Sequence, residues 1–210
     1  TAFDNGVKKL EEFIAKQDES ALSDISYSFQ TGRLSFPYRG AIAYKSKEDL
    51  LTKIQKLTSL KTRDRSDHVI FVFGGVGSHY QHVCKDLYAG EELFRQTFDK
   101  CAEVIQESVS IDVKHYLLNA EATQIDTVTE TYLLFAIEYT LAQLLISLGI
   151  QPKGMIGYSF GEYVAATVSG VMDIPTALKL IQFRNKLIAE SPEGRMLSVP
   201  VPFKQLNGLL

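Results

Sequence analysis

Cysteine is scarce in this sequence, with only two residues among 210. Cys84 and Cys101 form neither a CxxC pair nor a Cys/His pattern, which argues against a disulfide framework and gives no support for a metal site. We expect polar, helical surroundings for both thiols and a reducing, cytoplasmic location.

The sequence also lacks an excess of either charge and any long, purely apolar run. Its formal net charge is -3, which does not suggest a nucleic-acid partner. The most apolar segment, 132–150, contains Glu138 and Gln143, so it predicts a buried helix and no membrane association. No signal peptide, internal repeat or low-complexity tract is evident, and the 45% of apolar residues is typical of a soluble globular protein.

Hydrophobic patterns divide the chain into two predicted domains, 1–65 and 66–210. The charged segment KTRDRSD, residues 61–67, marks the boundary between them. In the first domain we predict a helix at about 4–17, an extended piece at 39–44 and a helix at about 46–58.

The second domain alternates strands with helices. A buried strand at 68–73 runs into a glycine loop, and a second short strand follows at 153–157. We predict helices at about 80–87, 91–107, 112–118, 130–148, 160–169 and 175–190, and an extended segment at 196–202. Such alternation predicts an α/β fold with a parallel sheet.

Ser159 lies in the motif Gly157-Tyr158-Ser159-Phe160-Gly161, at a predicted strand-to-helix junction. This G-x-S-x-G context is typical of a nucleophile presented on a tight turn, next to N–H groups that can hold an oxyanion. The alternative is a serine that caps the following helix, since Glu162 follows three residues later. The motif and its context favour the nucleophile.

The glycine loop GGVGS, residues 74–78, does not match a nucleotide-binding motif. Tyr80 stands where G-x-G-x-x-G needs its last glycine, and no P-loop lysine follows. An ordinary strand-to-helix turn is the simpler interpretation. The alternative is a loop that aims a main-chain N–H at a neighbouring site.

Arg184 falls near the middle of a predicted apolar helical stripe. The stripe consists of Ala177, Leu180, Ile181, Leu187 and Ile188. A charge in that position needs a partner. Two hypotheses stay open, a structural ion pair and a guanidinium fork for a substrate carboxylate.

Histidine is absent after Ser159, and the four histidines lie at 68, 79, 82 and 115. A serine nucleophile usually needs a general base. The base therefore either comes from upstream of the serine or is absent.

Four segments together resemble the acyltransferase domain of modular polyketide synthases. They are FVFGGVGSHY, LLFAIEYTLAQLLISLGIQP, GMIGYSFGEYVAATVSGV and RNKLI, which contains Arg184. The chain is also similar to malonyl-CoA:acyl-carrier-protein transacylases, and residues 1–65 resemble the linker between a ketosynthase and an acyltransferase. The most specific feature is GYSFGE followed by an arginine 25 residues after the serine.

The resemblance implies a small α/β linker domain and part of an α/β-hydrolase-like large subdomain, with a ferredoxin-like subdomain only begun. It implies that Ser159 takes an acyl group from coenzyme A as an ester, and that the phosphopantetheine thiol of an acyl carrier protein removes it. No bound cofactor is implied. The oxyanion donors would be the main-chain N–H groups of Val76 and Phe160, and Arg184 would bind the free carboxylate of a malonyl-type unit. The adjacent ketosynthase domain would be a second partner.

This sequence departs from the family pattern at several positions. Tyr158 stands where histidine is common, and Val76 and Thr131 stand where glutamine is common. The apolar residue after the serine, Phe160, favours malonyl over methylmalonyl as the acyl unit. The family places its histidine base beyond the ferredoxin-like subdomain, so we expect a piece of a longer polypeptide that is inactive by itself.

Two other functions share parts of this pattern. An α/β-hydrolase-type thioesterase also carries G-x-S-x-G, but it has no use for Arg184. A non-catalytic scaffold that docks the ketosynthase and the carrier protein is the other alternative.

Overall fold

A computed structural model describes residues 1–34, 36–61, 69–77, 84–119, 125–192, 194 and 200–201. The chain separates into two compact units, Thr1–Asp67 and His68–Leu210. No helix in the described ranges is long and apolar enough to cross a membrane.

The first unit packs three helices around a small core. Its elements are α1 (Ala2–Ala15), a short 3-10 turn (Glu19–Ala21), α2 (Leu22–Thr31), β1 (Tyr38–Arg39), α3 (Lys47–Ile54) and β2 (Leu60–Lys61). Thr1 begins α1 with a capping box, in which its side chain and that of Asp4 satisfy each other's main-chain N–H groups. Ile14, Leu22, Leu50 and Ile54 form the core, and β1 pairs with β2 in antiparallel register.

The predictions for this unit missed one helix, and only one residue of the predicted extended segment is a paired strand. Helix α2 was not predicted, although Leu22 and Ile25 recur at helical spacing and both pack in the core of this unit. The extended segment predicted at 39–44 is a strand only at Arg39, since β1 finds a partner for just Tyr38 and Arg39. The other two helices are confirmed within a few residues of the predicted bounds.

In its described residues, the second unit contains a two-stranded parallel sheet packed among helices. Its elements are β3 (Val69–Phe73), α4 (Lys85–Gly90), α5 (Glu92–Val109), α6 (Val113–Leu118), α7 (Thr127–Ser147), β4 (Pro152–Gly157), α8 (Gly161–Val168) and α9 (Ile174–Glu190). Strands β3 and β4 pair so that Phe71 lies opposite Met155 and Phe73 opposite Gly157. Both strands therefore end at the same edge of the sheet.

Helix α7 forms the centre of this unit. Its residues Thr131–Ile137 are all buried, as are Phe94, Phe98 and Ile105 on α5. The predicted α/β fold with a parallel sheet is confirmed, and α7 is a largely buried helix as predicted. The parts of the predictions that fall at 80–83 and 196–199 lie outside the described residues. So does most of the segment in which the ferredoxin-like subdomain was expected to begin.

The expectation of polar surroundings for the cysteines was wrong for Cys101. Its side chain is fully buried in the core on α5, and Cys84 is half-buried. Burial raises the pKa of the Cys84 thiol to about 11 and that of Cys101 to about 12. Neither thiol is therefore poised as a nucleophile at neutral pH.

Candidate active site

Ser159 sits on a sharp turn between β4 and α8. Its backbone has φ 51°, in the left-handed region that side chains other than glycine seldom adopt. The residue is exposed, and its hydroxyl has no hydrogen-bond partner among the described residues. A strained, exposed serine between a strand and a helix is the geometry of a nucleophile elbow.

Two glycines allow this turn to form. A Cβ on Gly157 would lie 2.1 Å from the main-chain nitrogen of Glu162, and one on Gly161 would lie 2.5 Å from the carbonyl oxygen of Phe73. The start of α8 thus packs directly on the end of β3. The N–H of Tyr158 also donates to the carbonyl of Phe73 at 2.8 Å.

The helix-cap alternative for Ser159 is wrong. The N-cap of α8 is Phe160, and no side chain among the described residues caps that helix. Glu162 does reach back, but its Oε1 accepts from the N–H of Gly157 at 3.2 Å and not from Ser159. The serine side chain is therefore free for another role.

The glycine loop after β3 lies against the serine turn. A Cβ on Gly75 would be 3.0 Å from the ring of Tyr158 and 3.1 Å from its carbonyl oxygen. Within this loop the N–H of Gly74 donates to Oε1 of Glu138, and that of Gly77 donates to Oε1 of Glu130, both at 2.6 Å.

The N–H groups of Val76 and Phe160 have no hydrogen-bond partner in the described ranges of the chain. Phe160 follows the serine directly, and its side chain is only 1% exposed. Its N–H is therefore held at the serine turn, and the loop that carries Val76 packs against the same turn. These two main-chain donors, without a partner among the described residues, are therefore candidates for an oxyanion hole.

Sequence reasoning missed Glu138 as a residue next to this loop. The carboxylate is half-buried, and its Oε2 is buried without a hydrogen-bond partner among the described residues. Burial raises the pKa of Glu138 to about 7, while the hydrogen bond from Gly74 opposes that rise. A carboxylate inside an otherwise apolar run was the only signal in the sequence.

Arg184 lies on α9 beside the residue that follows the serine. Its guanidinium carbon is 5.8 Å from the centroid of the Phe160 ring, and the side chain is half-buried. Its Nη1 donates to Oδ1 of Asn185 at 3.2 Å, and no carboxylate in the described ranges forms an ion pair with it. The described residues therefore give no support to the structural ion pair that the sequence left open.

The predicted apolar stripe around Arg184 was partly wrong. Ala177 and Ile181 are buried as predicted, but Leu180, Leu187 and Ile188 are exposed. The buried face of α9 instead includes Leu178, which shifts the stripe around the helix.

A chain of hydrogen bonds joins Arg184 to α7 through two residues that the site prediction did not include. The side-chain nitrogen of Asn185 donates to Oγ1 of Thr131 at 3.0 Å, and that hydroxyl donates to the carbonyl of Val128 at 2.6 Å. Thr131 is fully buried. Thr131 was recognised in the sequence as a departure from the family pattern, but no feature of the sequence pointed to its partner Asn185.

The described residues hold no cluster of side chains with metal-ligand character. His115 lies on α6, where its ring contacts Asn119 and Tyr116. The other three histidines fall outside the described residues, so the structure does not assign a general base.

Comparison with known proteins shows which family this chain belongs to. The sequence profile of the family described as "Acyl transferase domain" matches residues 70–205, and that described as "CurL-like, PKS C-terminal" matches residues 1–54. The second unit corresponds to the first of these matches.

Two curated relatives are polyketide synthases. A phenolphthiocerol/phthiocerol polyketide synthase chain of Mycobacterium tuberculosis is 39% identical over 64% of this chain and 9% of its own length. The non-reducing polyketide synthase ZEA1 of Gibberella zeae is 31% identical over 96% of this chain and 10% of its own length. The chain thus spans about a tenth of the length of these relatives.

Solved structures show the same relationship. The acyl transferase domain of ZmaA matches 97% of this chain and 48% of its own, with a TM-score of 0.78 and 32% identity. A malonyl-transacylase solved in complex with a type II polyketide synthase acyl-carrier protein matches 60% of this chain and 41% of its own, with a TM-score of 0.53 and 28% identity.

Proposed function

Because the chain belongs to the acyl transferase domain family of polyketide synthases, we propose that the full-length protein, with residues 1–210 as the part that carries the serine, moves a malonyl-type acyl unit from coenzyme A to an acyl carrier protein. The unit travels as an ester of Ser159. The observation that carries this proposal is the left-handed backbone of an exposed serine, φ 51°, on a turn built from two close-packed glycines.

The first half-reaction forms the ester. The Ser159 Oγ attacks the thioester carbonyl carbon and loses its proton to a base. The carbonyl oxygen becomes an oxyanion, which the free N–H groups of Val76 and Phe160 stabilise. The carbon–sulfur bond then breaks, and the coenzyme A thiol leaves with the proton.

The second half-reaction regenerates the free Ser159 hydroxyl. The phosphopantetheine thiol of the carrier protein attacks the ester carbonyl, the bond to Oγ breaks, and Oγ regains a proton. Such a sequence gives ping-pong kinetics. The malonyl-transacylase found with its carrier protein supports this choice of partner.

Arg184 supports a dicarboxylic acyl unit. The Arg184 guanidinium is half-buried and has no carboxylate partner among the described residues, so it can donate hydrogen bonds to a substrate carboxylate near the serine turn. A monocarboxylic acyl chain would leave that charge unpaired. We assign residues 66–210 to the acyltransferase, and residues 1–65 to the linker that joins it to a ketosynthase, in a cytoplasmic synthase.

The test is acylation of the full-length protein with malonyl-CoA, followed by mass spectrometry of the peptide that contains Ser159. We expect labelling at Ser159, loss of labelling in Ser159→Ala, and normal labelling in the control Ser169→Ala. Arg184→Ala should abolish the preference for malonyl-CoA over acetyl-CoA, whereas Lys179→Ala, an exposed change on the same helix, should not.

Two results would overturn the proposal. An unlabelled Ser159 would exclude the ester. Steady release of free malonate to water, with no transfer to a carrier protein and no effect of Arg184→Ala, would instead favour the thioesterase.

A further inference from the structure

Two main-chain hydrogen bonds, one at Gly74 and one at Gly77, connect the glycine loop to α7. Its Gly74 N–H donates to Glu138 and its Gly77 N–H donates to Glu130, each over 2.6 Å. Hydrogen bonds from an amide to a carboxylate are shorter and stronger than bonds between neutral groups. The two carboxylates are eight residues apart on one helix, about 12 Å along its axis, so they hold the loop at two separate points.

Val76 lies between these two points. Its own N–H has no partner among the described residues. Both neighbouring residues are glycines, and Gly77 already has φ 91°. Rotation of the Gly75–Val76 peptide changes ψ of Gly75 and φ of Val76, and Gly75 has no side chain to oppose it. Such a rotation would redirect the Val76 N–H and bring a carbonyl oxygen toward its place.

We propose that Glu138 and Glu130 are positioning residues, which hold the glycine loop so that the Val76 N–H stays directed at the acyl oxygen. This inference rests on the proposed acyl transfer, in which Val76 supplies one oxyanion donor. Neither carboxylate touches the substrate in this scheme. Each acts through the main chain of the loop.

The environment of Glu138 makes it possible to distinguish a positioning role from a stabilising role by experiment. Its Oε2 is buried without a partner among the described residues, and a buried carboxylate with an unpaired oxygen is unfavourable for folding. Burial also raises its pKa to about 7. Removing the charge should therefore stabilise the fold while it loosens the loop, whereas a purely structural residue would lose stability and activity together.

Thr140 provides a matched control on the same helix. Its Oγ1 is likewise buried without a partner among the described residues, two residues after Glu138. Thr140→Val removes that group without touching the loop. It should raise stability and leave acylation unchanged.

The experiment measures single-turnover acylation of Ser159 by malonyl-CoA in the full-length protein. Glu138→Gln keeps an acceptor for Gly74 but removes the charge, and we expect acylation a few fold slower. Glu138→Leu removes the acceptor, and we expect a loss of at least tenfold, within the limit of about 10²–10³ that removal of an oxyanion donor produces. Glu130→Gln and Glu130→Leu should follow the same order.

Infrared spectroscopy gives a readout that a structural role would not change. With a malonyl group labelled with carbon-13 at the thioester carbonyl, the ester stretch reports the hydrogen bonds to the acyl oxygen. It should move to higher frequency in Glu138→Leu and stay unchanged in Thr140→Val.

The outcomes separate the two proposals. If the wild-type protein labels Ser159 and the Glu138 and Glu130 variants label at the same rate with the same ester stretch, the positioning role is wrong and acyl transfer stands. If Glu138→Gln loses stability in proportion to its activity, Glu138 is structural and the positioning role again fails. An unlabelled wild-type Ser159 overturns both.

Discussion

The side-chain amide of Asn185 on α9 donates a 3.0 Å hydrogen bond to the hydroxyl of Thr131 on α7. That hydroxyl has one hydrogen, which it donates to the carbonyl of Val128 at 2.6 Å. It can therefore only accept from Asn185, and this directs the amide oxygen of Asn185 toward Nη1 of Arg184. The orientation of the arginine is thus set from α7.

Removal of the Thr131 hydroxyl should weaken binding of the substrate carboxylate. We expect Thr131→Val to raise the KM for malonyl-CoA about tenfold, since a lost hydrogen bond of about 1–1.5 kcal/mol corresponds to roughly that factor. Thr131→Ser keeps the hydroxyl and should behave like the wild type. Steady-state kinetics with malonyl-CoA and acetyl-CoA would measure this, and an equal effect on both donors would contradict it.

Substitution of Ser159 by glycine should separate chemistry from backbone strain. The left-handed φ of 51° is unfavourable for serine by about 1 kcal/mol and is readily adopted by glycine. We expect Ser159→Gly to increase the free energy of unfolding by about that amount and to abolish acylation. Ser159→Ala should abolish acylation without the gain in stability. Urea unfolding of the three proteins tests this, and equal stability of both variants would disprove the strain.

Substitution of Gly161 should damage the site through its packing. An added Cβ would lie 2.5 Å from the carbonyl oxygen of Phe73 and 2.6 Å from that of Gly74. Since neither main-chain group can move without shifting β3, we expect Gly161→Ala to destabilise the protein by about 1–3 kcal/mol. Gly90→Ala is the control, because an added Cβ there meets no atom of the described residues within 4 Å. Thermal unfolding should show a lower midpoint only for Gly161→Ala.

Stability should fall as pH rises through the titration of Glu138. The folded-state pKa of this carboxyl is raised from 4.5 to about 7, so the folded protein holds its proton at pH values where the unfolded chain has lost it. The unfavourable effect of this group therefore grows between about pH 4.5 and 7 and is complete above pH 7. Glu138→Gln should flatten this part of the profile and raise the unfolding midpoint at pH 8, but not at pH 4. A wild-type midpoint that rises with pH in parallel with that of the variant would contradict the raised pKa.

The cysteines should be inert in the folded protein. Their thiol pKa values of about 11 and 12 leave little thiolate at neutral pH. We expect iodoacetamide to label Cys84 slowly and Cys101 only after unfolding, with no loss of Ser159 acylation. Mass spectrometry of the alkylated protein would check this, and rapid inactivation by thiol reagents would show that a cysteine lies closer to the chemistry than the structure indicates.

Some helices of the second unit could be predicted from periodicity, because they have a distinct buried face. Helix α5 is an example, with Phe94, Phe98, Cys101 and Ile105 buried at helical spacing. Helix α2 was missed even though Leu22 and Ile25 lie on one face of it and pack in the core of the first unit.

The serine motif was recognisable because glycines flank Ser159 at a strand-to-helix junction. The residues that orient the site were harder to find. Glu138, Thr131 and Asn185 act on groups that are distant in sequence, and the Thr131–Asn185 hydrogen bond spans 54 residues. No local pattern encodes such a pair.

The sequence by itself determined the α/β order of elements, the G-x-S-x-G turn and an arginine 25 residues beyond the serine. Only the tertiary structure decided that the serine is strained and not a helix cap, that two carboxylates hold the glycine loop, and that Arg184 is oriented through Asn185. The physical reason is that periodicity and turn chemistry are local properties of the chain, whereas hydrogen-bond partners and close main-chain contacts exist only after β3, α7, α8 and α9 have packed together.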